Sequence, residues 1–110
     1  MFLEKFIRSN RKAFESICEA HRVDTIYAFG SSITNRFNQE YSDIDLLVSL
    51  LEEDPAKKEA AMESLWNDLE AFFGRKIDLL TKESIRNPFY KEVISRTRKL
   101  IYDREGEIMA

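Results

Sequence analysis

A chain of 110 residues with a net charge of −3 and a single cysteine is read as one domain with one core. It has no internal disulfide, and it lacks the basic excess of a protein whose main task is gripping nucleic acid. No run approaches the roughly 20 apolar residues that span a bilayer, and Met1-Phe2-Leu3 passes at once into Glu4 and Lys5 rather than into an apolar secretion signal, so the expectation is a cytoplasmic domain over residues 1–110 with no membrane and no direct nucleic-acid contact.

Taken in chain order, residues 2 to about 21 predict one amphipathic helix. Phe2, Phe6, Ala13, Ile17 and Ala20, with Leu3, Ile7, Phe14 and Cys18 beside them, recur at helical spacing, while Lys5, Arg8, Arg11, Lys12, Glu15 and Glu19 take the outer face. Cys18 on that apolar face reads as a core filler, and His21, the only histidine, as a helix-end residue. Val23 to Phe29 is a strand that ends at Gly30. Ser31 to Phe37 is a short helix or turn, and Asn38 to Ser42 a polar loop. Asp43 to Leu50 is a second strand, nearly continuously apolar after Asp45, which marks it as central and buried on both faces.

Asp54-Pro55 starts a helix, with Asp as N-cap and Pro in the first helical position. Met62, Leu65, Trp66, Leu69, Phe72 and Phe73 form its inner face, and Gly74 is its C-cap. Lys76 to Leu80 is a short strand, and Thr81 to Arg86 a turn or single helical turn. Asn87-Pro88 opens another helix, with Tyr90, Val93, Ile94 and Thr97 facing inward, and Leu100-Ile101-Tyr102 is a final edge strand. The order predicts a small mixed α/β (α+β) sheet with helices packed on it. Glu52, Glu53, Asp54, Glu59, Glu63, Asp68 and Glu70 make the middle helix acidic, whereas Lys82, Arg86, Lys91, Arg96, Arg98, Lys99 and Arg104 make the C-terminal quarter basic. That contrast reads either as two solvated faces or as a docking surface or phosphate-attracting rim.

Chemistry concentrates at Ala28-Phe29-Gly30-Ser31-Ser32 and Ser42-Asp43-Ile44-Asp45-Leu46-Leu47-Val48. Side chains at i and i+2 of a strand share a face, so Asp43 and Asp45 project together while Ile44 points into the core. Like charges held side by side call for a cation, and a hard divalent ion such as Mg2+ prefers oxygen ligands. Asp78, in the strand Ile77-Asp78-Leu79-Leu80, can join the pair if the two strands are neighbours. Three carboxylates meeting at one sheet end could hold two ions about 3.5–4 Å apart. Gly30 lets the backbone approach a phosphate, and the Ser31 hydroxyl and the turn N–H groups can donate to phosphate oxygens. Arg36, in the following loop, could reach a triphosphate.

Gly30-Ser31, then Asp43-x-Asp45 within Ser-Asp-Ile-Asp-Leu-Leu-Val, then the strand carboxylate Asp78, resembles the minimal nucleotidyltransferase (MNT) family of the DNA polymerase β-like superfamily. The resemblance spans about residues 10–103. It implies a polymerase β-like palm, a phosphate-binding turn at Gly30 and Ser31, and Asp43, Asp45 and Asp78 as Mg2+-binding catalytic carboxylates. It also implies transfer of a nucleoside monophosphate, most often AMP from ATP, to a hydroxyl. Many members are antitoxins that add AMP to a tyrosine of a HEPN-domain toxin, which implies such a partner here, with self-association left open. A contact-only binding module, and a small-molecule adenylyltransferase completed by a second subunit, are the alternatives. The loop departs from the usual pattern: eleven residues, 32–42, separate Ser31 from Asp43 where ten are usual, and the common Arg-Gly gives way to Ile33-Thr34-Asn35-Arg36-Phe37.

Overall fold

The computed structural model describes residues 2–33 and 43–106. The elements run α1 (Phe2–Ser9), α2 (Arg11–Ala20), β1 (Val23–Phe29), a 3-10 turn (Gly30–Ile33), β2 (Ile44–Leu50), α3 (Pro55–Phe73), β3 (Ile77–Leu80), a second 3-10 turn (Lys82–Ser84), α4 (Pro88–Thr97) and β4 (Lys99–Asp103). The sheet order is β3-β2-β1-β4. β1 runs antiparallel to β2 and β4, while β2 and β3 are parallel. Parallel neighbours need a crossover, and α3 supplies it. The result is the mixed α+β fold that the order of elements predicts, with β2 inside the sheet and β4 at an edge.

The expected single N-terminal helix is two. Asn10 leaves the helical region (φ −129°, ψ 36°), and its side-chain amide donates to the Phe6 carbonyl at 2.9 Å. A short polar side chain that bonds its own backbone competes with helix continuation. The break lets Leu3 and Ile7 of α1 and Phe14 and Cys18 of α2 all reach the core, while Ala13 and Ala20 stay exposed. Burial pushes the Cys18 thiol up to about 12, which leaves it an inert core filler. His21 ties α2 to α3 through Ile17 O (2.7 Å) and Ser64 Oγ (2.9 Å).

Strand alternation divides the apolar residues between two layers. Ile26, Ala28, Ile44, Leu46, Val48, Ile77, Leu79 and Ile101 join the larger core under α1, α2 and α3. Phe29 and Leu47, on the opposite sheet face, pack with Ile85 and Ile94 in a smaller cluster, with Tyr27 and Leu80 at its margin. α4 therefore covers only part of that second face. The α3 ends follow from local chemistry: Asp54 accepts from the Lys57 N–H at 3.0 Å, and Gly74 takes the left-handed conformation (φ 67°). Among the described residues no helix is long and apolar enough to cross a membrane.

The Asp54 cap is solvent-facing and local, so Asp54→Ala should lower stability by about 1 kcal/mol without altering the fold, read as a shifted midpoint with an unchanged slope in urea denaturation followed by circular dichroism.

Candidate active site

The parallel register pairs Ile44 with Ile77, Asp45 with Asp78, Leu46 with Leu79 and Leu47 with Leu80. Ile44, Leu46, Ile77 and Leu79 are buried in the main core, so Asp45 and Asp78 project side by side from the opposite face. Asp43 lies immediately before β2, two residues from Asp45, and is exposed.

Two side chains of α3 hold β3 in place. Trp66 Nε1 donates to the Ile77 carbonyl at 2.8 Å, and Glu70 Oε2 accepts from the Ile77 N–H at 2.9 Å. Residues four apart lie on one helix face, so these two side chains satisfy both main-chain groups of the residue next to Asp78. An edge strand that would otherwise leave them open is thereby fixed against the helix.

Gly30 presses on Asp45. Its φ is +64°, and a Cβ added there would lie 2.5 Å from Asp45 Oδ2. Only glycine meets both the left-handed backbone and the close approach. Ser32 completes the corner. Its buried hydroxyl donates to the Phe29 carbonyl at 2.6 Å and accepts from the Asp45 N–H at 3.0 Å, so the turn is bonded directly to the strand that carries the carboxylates.

Electrostatics register this crowding. Partial burial, then the charges of Asp78 and Asp43, push the Asp45 carboxyl up to about 6. Neither Asp45 nor Asp78 has a cationic partner among the described residues. Tyr90, in the first turn of α4, stands at the same corner: its ring meets Phe29 edge-on at 6.4 Å, and Phe29 is the direct cross-strand partner of Asp45. Desolvation and the charges of Asp45 and Asp78 raise its phenol above the ordinary range.

Asp45 thus feels the charge of the other two carboxylates. The three are not drawn into a closed set: among the described residues, no three acidic, imidazole or thiol groups stand as a ready metal cluster. The donor chemistry nevertheless suits a hard divalent cation, because the repelling groups offer only carboxylate oxygens. Arg36 lies outside the described residues, and of Ser31 only the backbone is described, within the turn. Two residues of this corner escape sequence reasoning. Ser32 is masked by an identical neighbour, and Tyr90, expected to face inward, is instead 46% exposed.

A mixed four-stranded sheet with this crossover has the architecture of a nucleotidyltransferase. The family model described as "Polymerase beta, Nucleotidyltransferase" matches residues 12–107, and the chain belongs to that family. A relative from Methanocaldococcus jannaschii, provisionally named a protein adenylyltransferase, is 34% identical over 100 residues, which covers 91% of this chain and 93% of that protein. A solved structure provisionally described as a minimal nucleotidyltransferase is 27% identical with a TM-score of 0.64, over 87% of this chain and 93% of that one. A chain of the complex between a tri-AMPylated HEPN toxin of Shewanella oneidensis and an MNT antitoxin shares the fold, with a TM-score of 0.55 at 21% identity over 89% of this chain and 73% of that one.

The Asp45 carboxyl is raised from 3.8 to about 6 on folding, so the native state holds a proton that the unfolded chain releases between those values. Its ionised form destabilises the fold fully above pH 6, less on acidification, and not at all below 3.8. Asp45→Asn in metal-free buffer should therefore stabilise the protein at neutral pH by on the order of 1 kcal/mol, a figure discounted for the site's partial exposure. Thermal melts should show the gain fading as pH falls through 6 to 4. Gly30→Ala should do the opposite and cost about 2 kcal/mol at any pH through backbone strain and the clash with Asp45, a pH-independent loss in the same melts.

Proposed function

We propose that this chain is an Mg2+-dependent adenylyltransferase that moves AMP from ATP to a hydroxyl of a protein acceptor, a tyrosine of a HEPN-type toxin, and releases pyrophosphate. The observation that carries the reading is the register of Asp45 beside Asp78 with Gly30 against Asp45. One glycine turn and two strand carboxylates are assembled at one corner of a fold whose family transfers nucleotides. The provisional name of the archaeal relative and the AMPylated toxin in the structurally similar complex support the choice of AMP and of a protein acceptor.

In this reading Asp43, Asp45 and Asp78 hold the divalent ion. When bound, it would polarise the α-phosphate, lower the barrier to deprotonating the acceptor hydroxyl and neutralise charge on the leaving pyrophosphate. Gly30, with no side chain, lets the triphosphate approach the main chain, and the N–H groups of the 30–33 turn, with the Ser31 hydroxyl, donate to its oxygens. Arg36 adds a charge-assisted donor to the same phosphates. Ser32 holds the turn and β2 in fixed relation through its two short hydrogen bonds, so phosphate and carboxylates keep one geometry. The acceptor oxygen forms the new bond to the α-phosphorus, the bond from that phosphorus to the bridging oxygen breaks, pyrophosphate carries away the electron pair, and the hydroxyl proton leaves to water.

Incubating the protein with α-labelled ATP, Mg2+ and a HEPN-type partner tests this. Wild type should label a partner tyrosine. Asp43→Asn, Asp45→Asn and Asp78→Asn should each reduce labelling by about a hundredfold or more while far-UV dichroism stays native. A tight complex with no label would favour neutralisation by contact, label on a small molecule would favour a metabolite acceptor, and full activity in the Asn variants would remove the carboxylates from the mechanism.

A further inference from the structure

The open sheet face carries a second feature beyond the carboxylate corner. Along β2, Leu47 lies two residues from Asp45 on the same face, and Ser49 two further. At about 3.3 Å per residue these positions are roughly 7 and 13 Å from Asp45. There the sheet, α3, the 81–84 turn and the end of α4 enclose a cleft of about 140 Å³. Tyr27 and Leu47 are among its lining residues, together with Lys58, Lys82, Glu83 and Arg98. Its volume equals that of roughly five water molecules, enough for a carboxylate or phosphate group.

The charge of this cleft runs against that of the chain. Three cationic residues and one acidic residue line it in a protein of net charge −3. The one carboxylate leaves a surplus: Glu83 Oε1 pairs with Lys58 Nζ at 3.9 Å, and Lys82 and Arg98 remain. The Arg98 guanidinium carbon lies 4.0 Å over the Tyr27 ring, and no carboxylate among the described residues pairs with this guanidinium. Lys82 has no ion-pair partner among them. Converging, underneutralised cations in a concavity form an oxyanion site, and a guanidinium held on an aromatic ring is preorganised to donate.

We propose that this cleft is an acceptor subsite that seats a carboxylate side chain about two to four residues from the acceptor hydroxyl, the separation that an extended segment needs to span roughly 7–13 Å. The inference rests on the adenylyl-transfer reading for the word acceptor. The binding of the carboxylate itself requires no turnover. The cleft would then select acidic segments and set their direction across the sheet.

Calorimetric titration of the full chain with Mg2+ and AMP-PNP present tests it. The probes are a tyrosine peptide carrying glutamates two and four residues from the tyrosine, its glutamine counterpart, and inorganic phosphate. The glutamate peptide should bind at least about tenfold more tightly than the glutamine peptide. That preference should disappear in Lys82→Glu and increase in Glu83→Gln, a gain that misfolding cannot produce. Equal binding of the two peptides, a preference that survives Lys82→Glu, or saturation by phosphate without peptide binding would each overturn the proposal. AMP-PNP affinity, measured first in every variant, should not change. If wild type fails to bind it, the nucleotide reading fails by that result alone, and the peptide comparison still decides the cleft.

Discussion

The parallel register of β2 with β3 is the constraint on which the rest of this molecule turns. It sets Asp45 beside Asp78, an arrangement that opposes folding and that no nearby cation relieves among the described residues. The pairing persists because the alternating positions of the same two strands, Ile44, Leu46, Ile77 and Leu79, are buried at 4% exposure or less. A slip of β3 by one residue would turn Ile77 and Leu79 out and Asp78 into the core, and the same slip of β2 would do so to Ile44, Leu46 and Asp45. Burial of four large aliphatic side chains contributes on the order of 1.5–3 kcal/mol each, against which a partly solvated carboxylate pair is a minor opposing term. The apolar pattern thus dictates where the acids go, and the acids cannot choose a less strained position.

Register alone would leave the end of an edge strand free to fray. The α3 clamp on Ile77 prevents this, because Trp66 and Glu70 satisfy its carbonyl and N–H from one helix face. On the other side, Ser32 bonds the glycine turn to the Asp45 N–H. Both devices act on the main chain next to a candidate site carboxylate rather than on the side chain itself. The carboxylate oxygens stay open for a ligand while their positions are held, which is the arrangement that a preorganised site requires. An electrostatic cost collects at the same corner, in the raised Asp45 carboxyl, beside a positive-φ turn that glycine adopts without strain.

How much of this is legible in the sequence depends on the range of the interaction that decides each feature. β1 follows from its β-branched and aromatic run, and the starts of α3 and α4 from Asp54-Pro55 and Asn87-Pro88, because caps are written in adjacent residues. The neighbour relation of Asp45 and Asp78 is legible only conditionally, since it needs the crossover of α3 as well as two strand patterns. The break at Asn10 is not legible: an amphipathic period continues through it, and the choice between one helix and two is made by how Leu3, Ile7, Phe14 and Cys18 fit the core together. Ser32 and Tyr90 are hidden for different reasons. A serine beside an identical neighbour gives no sign that its hydroxyl will bond to β2, and the apolar stripe of α4 (Phe89, Tyr90, Val93 and Ile94) is wider than the part the core buries, which is Ile94 alone.

That rotation of α4 has consequences for the sheet face beneath it. Ile94 anchors the middle of the helix on Phe29 and Leu47. Tyr90 is thereby left beside the carboxylates at one end, and Arg98, just past the other end, over Tyr27. One short helix thus divides the open face into an acidic corner and a basic cleft. A hydroxyl-bearing segment laid across this face meets opposite fields at its two ends. In the proposed reading, attraction at the cleft favours an acidic stretch there, so the field biases which way such a segment runs. Direction of approach can follow here from the placement of charge on either side of a single helix.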